Sequence, residues 1–237
     1  SSGLQALASY TWSHSIDTNS NDTLHNAPSG KLDPRTDRGP SDFDVRHSFA
    51  AAVTYDIPAP PKGATGRGLL RDWSLDTIIT ARTATPVDVF AGRDSGFGLF
   101  SFRPDLVPGV PLYLSDPSAP GNRVINRAAF TVPAAPRQGT LGRNSLRGFP
   151  VSQVDLSLRR RLALAERFNL QLRVEVFNLL NHPNFGDPSG DLNSGLFGRS
   201  TSMLGRSLGG GGTGGGLSPL YQVGGPRSVQ LAVKLQF

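Results

Sequence analysis

The side chains able to do chemistry in this chain form a few small groups, and most of them decline the chemistry they first suggest. Asp17-Thr-Asn-Ser-Asn21 opens as a calcium loop does, with oxygen-bearing side chains in series. Such a loop needs glycine at its sixth position for the sharp turn and a bidentate glutamate at its twelfth. Asp22 and Pro28 stand there, so the stretch reads as a solvated loop. His14, His25, His47 and His182 lack the spacing that brings two imidazoles to one metal ion. The glycine run 209–216 resembles a dinucleotide fingerprint only as any glycine run does. That fingerprint requires a strand before it, a helix after it and an acidic residue beyond. A chain with no cysteine has no disulfide, no thiolate ligand and no thiol nucleophile. No Gly-x-Ser-x-Gly elbow occurs, and no Ser, His and Asp stand out as a triad. No catalytic, cofactor-binding or metal-ligating residue is therefore singled out, and the chain reads as something other than an enzyme.

A different group remains: charges at alternate positions. Arg46 and Asp56, Asp76 and Arg82, Asp155 and Arg159, Arg173 and Glu175 share faces of segments whose other face is apolar. Period two is the signature of strands lying between an apolar and a polar environment. Leu4–Ser13, with Leu7 as an exception, Val45–Ile57, Trp73–Thr83, Val151–Leu162, Phe168–Val176 and Ser228–Phe237 show it. The last is the cleanest, with Val229, Leu231, Val233, Leu235 and Phe237 opposite Ser228, Gln230, Ala232, Lys234 and Gln236. Proline-, glycine- and asparagine-rich stretches separate the strands. Their lengths alternate long, short, long, short, long, the long ones being 16–44, 86–150 and 181–227.

About six antiparallel strands with connections of alternating length describe part of a transmembrane β-barrel. About 11 residues at about 3.3 Å each, tilted by about 40–45°, rise about 25 Å, the height of the apolar band. The long connections are expected outside the cell and the short ones in the periplasm. That orientation sets Tyr10, Trp12 and Phe49 on the lipid face at the outer rim, and Tyr55, Trp73, Phe168 and Phe237 at the inner rim. Aromatic girdles at both interfaces belong to such barrels. Arg46, Asp76, Arg82, Asp155, Arg159, Arg173 and Glu175 then face the lumen. In Arg159-Arg-Arg161 alternation turns only Arg160 outward, where it can snorkel to headgroups at the periplasmic rim. The net charge of +6 thus belongs to loops and lumen, and no nucleic-acid partner is drawn from it. Phe237, ending a lipid-facing stripe, is expected to act as a barrel assembly signal.

Several segments resemble the C-terminal part of TonB-dependent outer-membrane receptors, in particular their Oar-like branch. They are Ala8-Ser-Tyr-Thr-Trp-Ser13, Ser41-Asp-Phe-Asp-Val-Arg-His-Ser-Phe49 and Gly142-Arg-Asn-Ser-Leu-Arg-Gly148. Val174-Glu-Val-Phe-Asn-Leu-Leu-Asn-His-Pro-Asn-Phe185 and the closing Gly225–Phe237 complete the set. The resemblance implies that 1–237 is the last part of a large barrel in the cell outer membrane, without the plug domain and TonB box that such receptors carry. It implies substrate import into the periplasm energised through TonB. Its partners would be the lipid bilayer, the plug, TonB, the barrel assembly machinery and a transported substrate. A surface-adhesion barrel, or a barrel enzyme, is the alternative.

One hairpin invites a register. With a five-residue turn at Ala163–Arg167, Asp155 is expected opposite Glu175, Ser157 opposite Arg173 and Arg159 opposite Gln171. Arg173 would then sit between two carboxylates and bridge both.

Overall fold

A computed structural model describes residues 3–20, 34–59, 61, 67–91, 102–134, 137–165, 168–205 and 223–236. Six strands form one sheet: β1 (Leu4–Trp12), β2 (His47–Asp56), β3 (Trp73–Arg82), β4 (Val151–Ala165), β5 (Phe168–Phe177) and β6 (Ser228–Gln236). Sheet order follows chain order and every neighbouring pair is antiparallel, with β1 and β6 at open edges. The fold is all-β; its one α-helical piece is the single turn Arg67–Leu70, among the described residues.

Pairing carries the faces read from alternation across the whole sheet. One apolar row runs Leu4, Tyr55, Leu75, Leu158, Val174, Leu231, and the next polar row runs Gln5, Thr54, Asp76, Ser157, Glu175, Gln230. Tyr10 pairs with Phe49 and Trp12 with His47 at the edge bearing the long connections. Trp73 and Phe168 open their strands at the other edge, so the described members of both aromatic groups lie where alternation sets them. Phe237 lies outside the described residues, as do the part of the calcium-like stretch beyond Ser20 and the glycine run. No side chain of the apolar face is fully buried, among the described residues, and at the edge strand β6 Leu231 is 75% exposed and Val233 70%. Such a face is stable only in an apolar solvent.

The expected register of the β4–β5 hairpin is corrected by two residues. Ser157 pairs with Glu175, Arg159 with Arg173 and Arg161 with Gln171. The reason is the length of β4 and a shift near its end. β4 continues to Ala165, a register shift between Ala163 and Ala165 absorbs one residue, and only 166–167 connect to Phe168. A slip of two keeps every side chain on its face, so the charged set stays on the polar face while its partners change. Asp155 does not meet Glu175; across the sheet it lies opposite Ile78 of β3.

Candidate functional site: the loop cap and the lumen wall

The buried hydrophobic cluster lies in the long connections, and Val151 alone of the sheet's hydrophobic side chains is buried, among the described residues. Val87, Val89, Ala91, Ile125, Ala129, Phe130, Leu141 and Leu146 of the connection 83–150 pack with Leu192 and Phe197 of the connection 178–227. Phe130 and Phe197 meet edge to face with centroids 5.9 Å apart. Short pairings scaffold this cap: Pro86–Val87 with Leu146–Arg147, Asp105–Leu106 with Phe130–Thr131, and Tyr113–Ser115 with Arg123–Ile125. Backbones approach so closely that a Cβ on Gly190 would lie 1.8 Å from the Asp88 carbonyl oxygen. Only glycine fits there.

The first long connection (13–46) is tied to this core by arginines. Arg103 donates from Nη1 to Asp37 Oδ1 at 3.0 Å and from Nη2 to the Thr36 carbonyl at 2.6 Å. Arg143, only 4% exposed in its side chain, donates to Asp17 Oδ1, to Ser20 Oγ at 2.7 Å and to Asp42 Oδ1 at 3.3 Å. Arg147 and Arg46 both donate to Asp44 Oδ2, at 2.6 and 2.8 Å. Burial alone would raise the Asp44 carboxyl. Hydrogen bonds from Arg147, Arg46 and the Ser15 N–H outweigh it and hold the group at about 2.

All three connections meet at a cleft of about 230 Å³ lined by Asp42, Pro86, Val87, Asp88, Asn144, Asp187, Pro188 and Gly190. Burial raises the Asp88 carboxyl, against the Asn144 N–H that donates to it and the more distant Arg103 and Arg143. Burial likewise raises Asp187, offset in part by Thr85 Oγ1, which donates to both its oxygens at 2.8 and 3.0 Å, and by the Arg82 charge. The cleft therefore presents carboxyl oxygens from three chain segments to a hydrogen-bond donor. Among the described residues no three His, Cys, Asp or Glu side chains converge as a metal site would require.

These shifts have opposite signs for stability. Asp44 contributes stability that is complete above its ordinary value of 3.8 and is lost as pH falls toward about 2. The shift corresponds to about 2 kcal/mol. Asp88, raised on folding, costs stability once pH exceeds the unfolded value, and the cost is relieved as pH falls through the folded one. Asp88→Asn is thus expected to raise cap stability at pH 7 and to lose that advantage on acidification. Urea titrations of cap proteolysis at two pH values check it; no gain at neutral pH would refute it.

Below the cap the polar face of the sheet carries the charges expected from alternation. Asp76, Arg159, Arg173 and Glu175 are brought together across β3, β4 and β5. Arg159 Nε lies 3.2 Å from Asp76 Oδ2, as an ion pair without hydrogen-bond alignment. Arg173 Nη1 donates to Glu175 Oε1 at 3.3 Å, and Thr54 Oγ1 donates to Asp76 Oδ1 at 2.8 Å. Arg159 and Arg173 face each other as like charges, each drawn to its own carboxylate. Arg173 does not bridge to Asp155, as the other register had required.

Three of the lumen residues stand apart. Arg46 precedes β2 and belongs to the Asp44 tie, with a second nitrogen 2.9 Å from His14 Nε2. Arg82 ends β3 opposite Ser48 and Val151, at the edge below Asp187. Asp155 is buried, accepting from Gln153 Nε2 and, at 2.8 Å, from the Asn178 N–H. Asn178, left-handed at φ 49°, donates from Nδ2 to the His182 and Gly225 carbonyls, and Gln153 Oε1 accepts from the Gly224 N–H. This knot closes both ends of the third connection onto the wall.

Alternation gave no hint of Asp17, Asp37, Asp42, Asp44, Asp88, Arg103, Arg143, Arg147, Asn178 or Asp187. A signal did exist for half of them, because Asp42, Asp44, Arg143, Arg147 and Asn178 lie in Ser41–Phe49, Gly142–Gly148 and Val174–Phe185, quoted above for their resemblance. Compared with known proteins, residues 1–208 match a family model described as an outer membrane beta barrel domain. No curated protein and no solved structure matches the chain.

Proposed function

Because the chain belongs to the outer membrane β-barrel domain family, we propose that it forms wall and outward loops of a TonB-dependent receptor that imports a substrate into the periplasm. The protein resides in the cell outer membrane. One observation carries the proposal. The long connections of a single sheet edge fold into one cross-tied cap, and its polar cleft stands over a charged lumen wall. In this reading the cap meets the substrate first and the wall lines its passage, with no bond broken and no catalytic residue required. The plug and TonB act through a segment outside these residues, and the assembly machinery inserts the strands.

Uptake tests it. A strain lacking the protein and a strain lacking TonB should lose accumulation of the same compound. Uptake indifferent to TonB would overturn the proposal. A surface-adhesion barrel is the second reading, favoured by Phe43, Leu114, Val132 and Leu196, exposed on the cap. Loss of attachment to surfaces with all uptake intact would establish it instead.

The orientation is tested with cysteines, since the chain has none of its own. Gly195 in the cap and Gly68 at the opposite edge have open space where a side chain would begin. Gly195→Cys should react with an impermeant maleimide on intact cells, and Gly68→Cys only after the outer membrane is opened. The reverse pattern would invert the topology.

A further inference from the structure

We propose that Arg160, Trp73 and the helical turn Arg67–Leu70 form a binding site for the headgroup phosphate of an anionic phospholipid. The site lies on the lipid-facing side of the wall, at the edge of the short connections.

Arg160 is the one charged side chain on the apolar face of the six strands, among the described residues. Its row runs Trp73, Arg160, Leu172, Val233, with Leu158 and Leu162 on either side along β4. A cation on a lipid-facing strand is costly at mid-depth and tolerated near an interface, where a headgroup can accept from it. Trp73 opens its strand, which sets this row near the rim.

The guanidinium is held but not satisfied. It lies over the Trp73 ring, 5.3 Å from the centroid, and Nη2 donates to the Gly68 carbonyl. Nε is buried with no acceptor, and among the described residues no carboxylate pairs with Arg160. Trp73 Nε1 donates to the Leu69 carbonyl at 2.8 Å. The turn is thereby stapled to the lipid-facing side by the same two residues. It leaves Leu69 70% and Leu70 56% exposed.

The occupant follows from continuity and charge. The two leucines extend the apolar face that the outer membrane covers, and such side chains bury in the acyl boundary of a bilayer. A guanidinium with free donors beside them meets the phosphodiester at that depth, and its planar fork suits phosphate oxygens. An aromatic ring at the headgroup level completes an interfacial anchor.

The test uses the protein purified in detergent and mixed with brominated phosphatidylglycerol or brominated phosphatidylcholine. Quenching at Trp73 is read as the difference between the protein and its Trp73→Phe variant. Brominated phosphatidylglycerol is expected to quench at least threefold more strongly at equal mole fraction. Arg160→Gln should bring the ratio near one, Arg160→Lys should keep part of the preference, and millimolar inorganic phosphate should not displace the lipid. Equal quenching by both lipids, an unchanged ratio in folded Arg160→Gln, or displacement by free phosphate would each overturn the proposal. Leu69→Ser with Leu70→Ser, outside the strands, gives a second reading if Arg160→Gln does not fold. Quenching by both lipids should then fall, and unchanged quenching counts against the site.

Discussion

Asp155→Ala is expected to destabilise the protein by about 3 kcal/mol, because two buried donors lose their acceptor at once. Gln153 Nε2 reaches both oxygens of the carboxylate, at 2.8 and 3.1 Å, and the Asn178 N–H reaches Oδ1 at 2.8 Å. Gln153 is 4% exposed and Asn178 1%, so water does not readily replace what is removed. Asp155→Asn keeps one acceptor oxygen and should cost about 1 kcal/mol. The damage should spread to the third connection, whose two ends are joined through Asn178 and Gly225 and through Gln153 and Gly224. Urea unfolding in detergent gives the first effect, and faster proteolytic cutting within 178–227 gives the second. A variant that unfolds at the native urea concentration and resists protease as before would refute the account.

Arg103→Met should cost a comparable amount, about 3–5 kcal/mol, but through a different physics. The side chains of Arg103 and Asp37 are 6% and 5% exposed, so removing the guanidinium takes away a charged donor 3.0 Å from a carboxylate in a dry site. The Thr36 and Leu141 carbonyls lose a donor as well. Replacing both members, as Arg103→Met with Asp37→Leu, should recover most of the loss, since the desolvation penalty disappears with the charge. The effect is local to the cap. Hydrogen exchange should rise across 34–44 while the strand amides of β3 and β4 stay protected. A double variant no better than the single one would contradict this reading.

What was legible in the sequence follows from the same distinction between wall and cap. A strand between lipid and lumen has no freedom in its pattern, so Val229 to Leu235 and Phe168 to Val176 announced themselves by parity. Parity is blind to a slip of two. Nothing in the letters of Ala163–Arg167 says that the strand runs on to Ala165 with a register shift after Ala163. The cap was illegible for a further reason. Its strands are two or three residues long, too short to show a period, and its core residues come from points more than a hundred positions apart, as with Val87 and Leu192. Arg143 and Asp17, 126 positions apart, look in sequence like two unrelated loop charges.

The cap is fastened without a covalent bond, and this gives it a reversibility that cysteine would deny. Its ionic ties differ in how far salt can reach them. Arg137–Asp105 and Arg199–Asp116 have arginines 51% and 44% exposed and should weaken as ionic strength rises. The Arg103–Asp37 pair is shielded from mobile ions and should hold longest. Brine would therefore loosen this roof in sequence, rim before root, and dilution would let it settle back with no thiol chemistry and no helper.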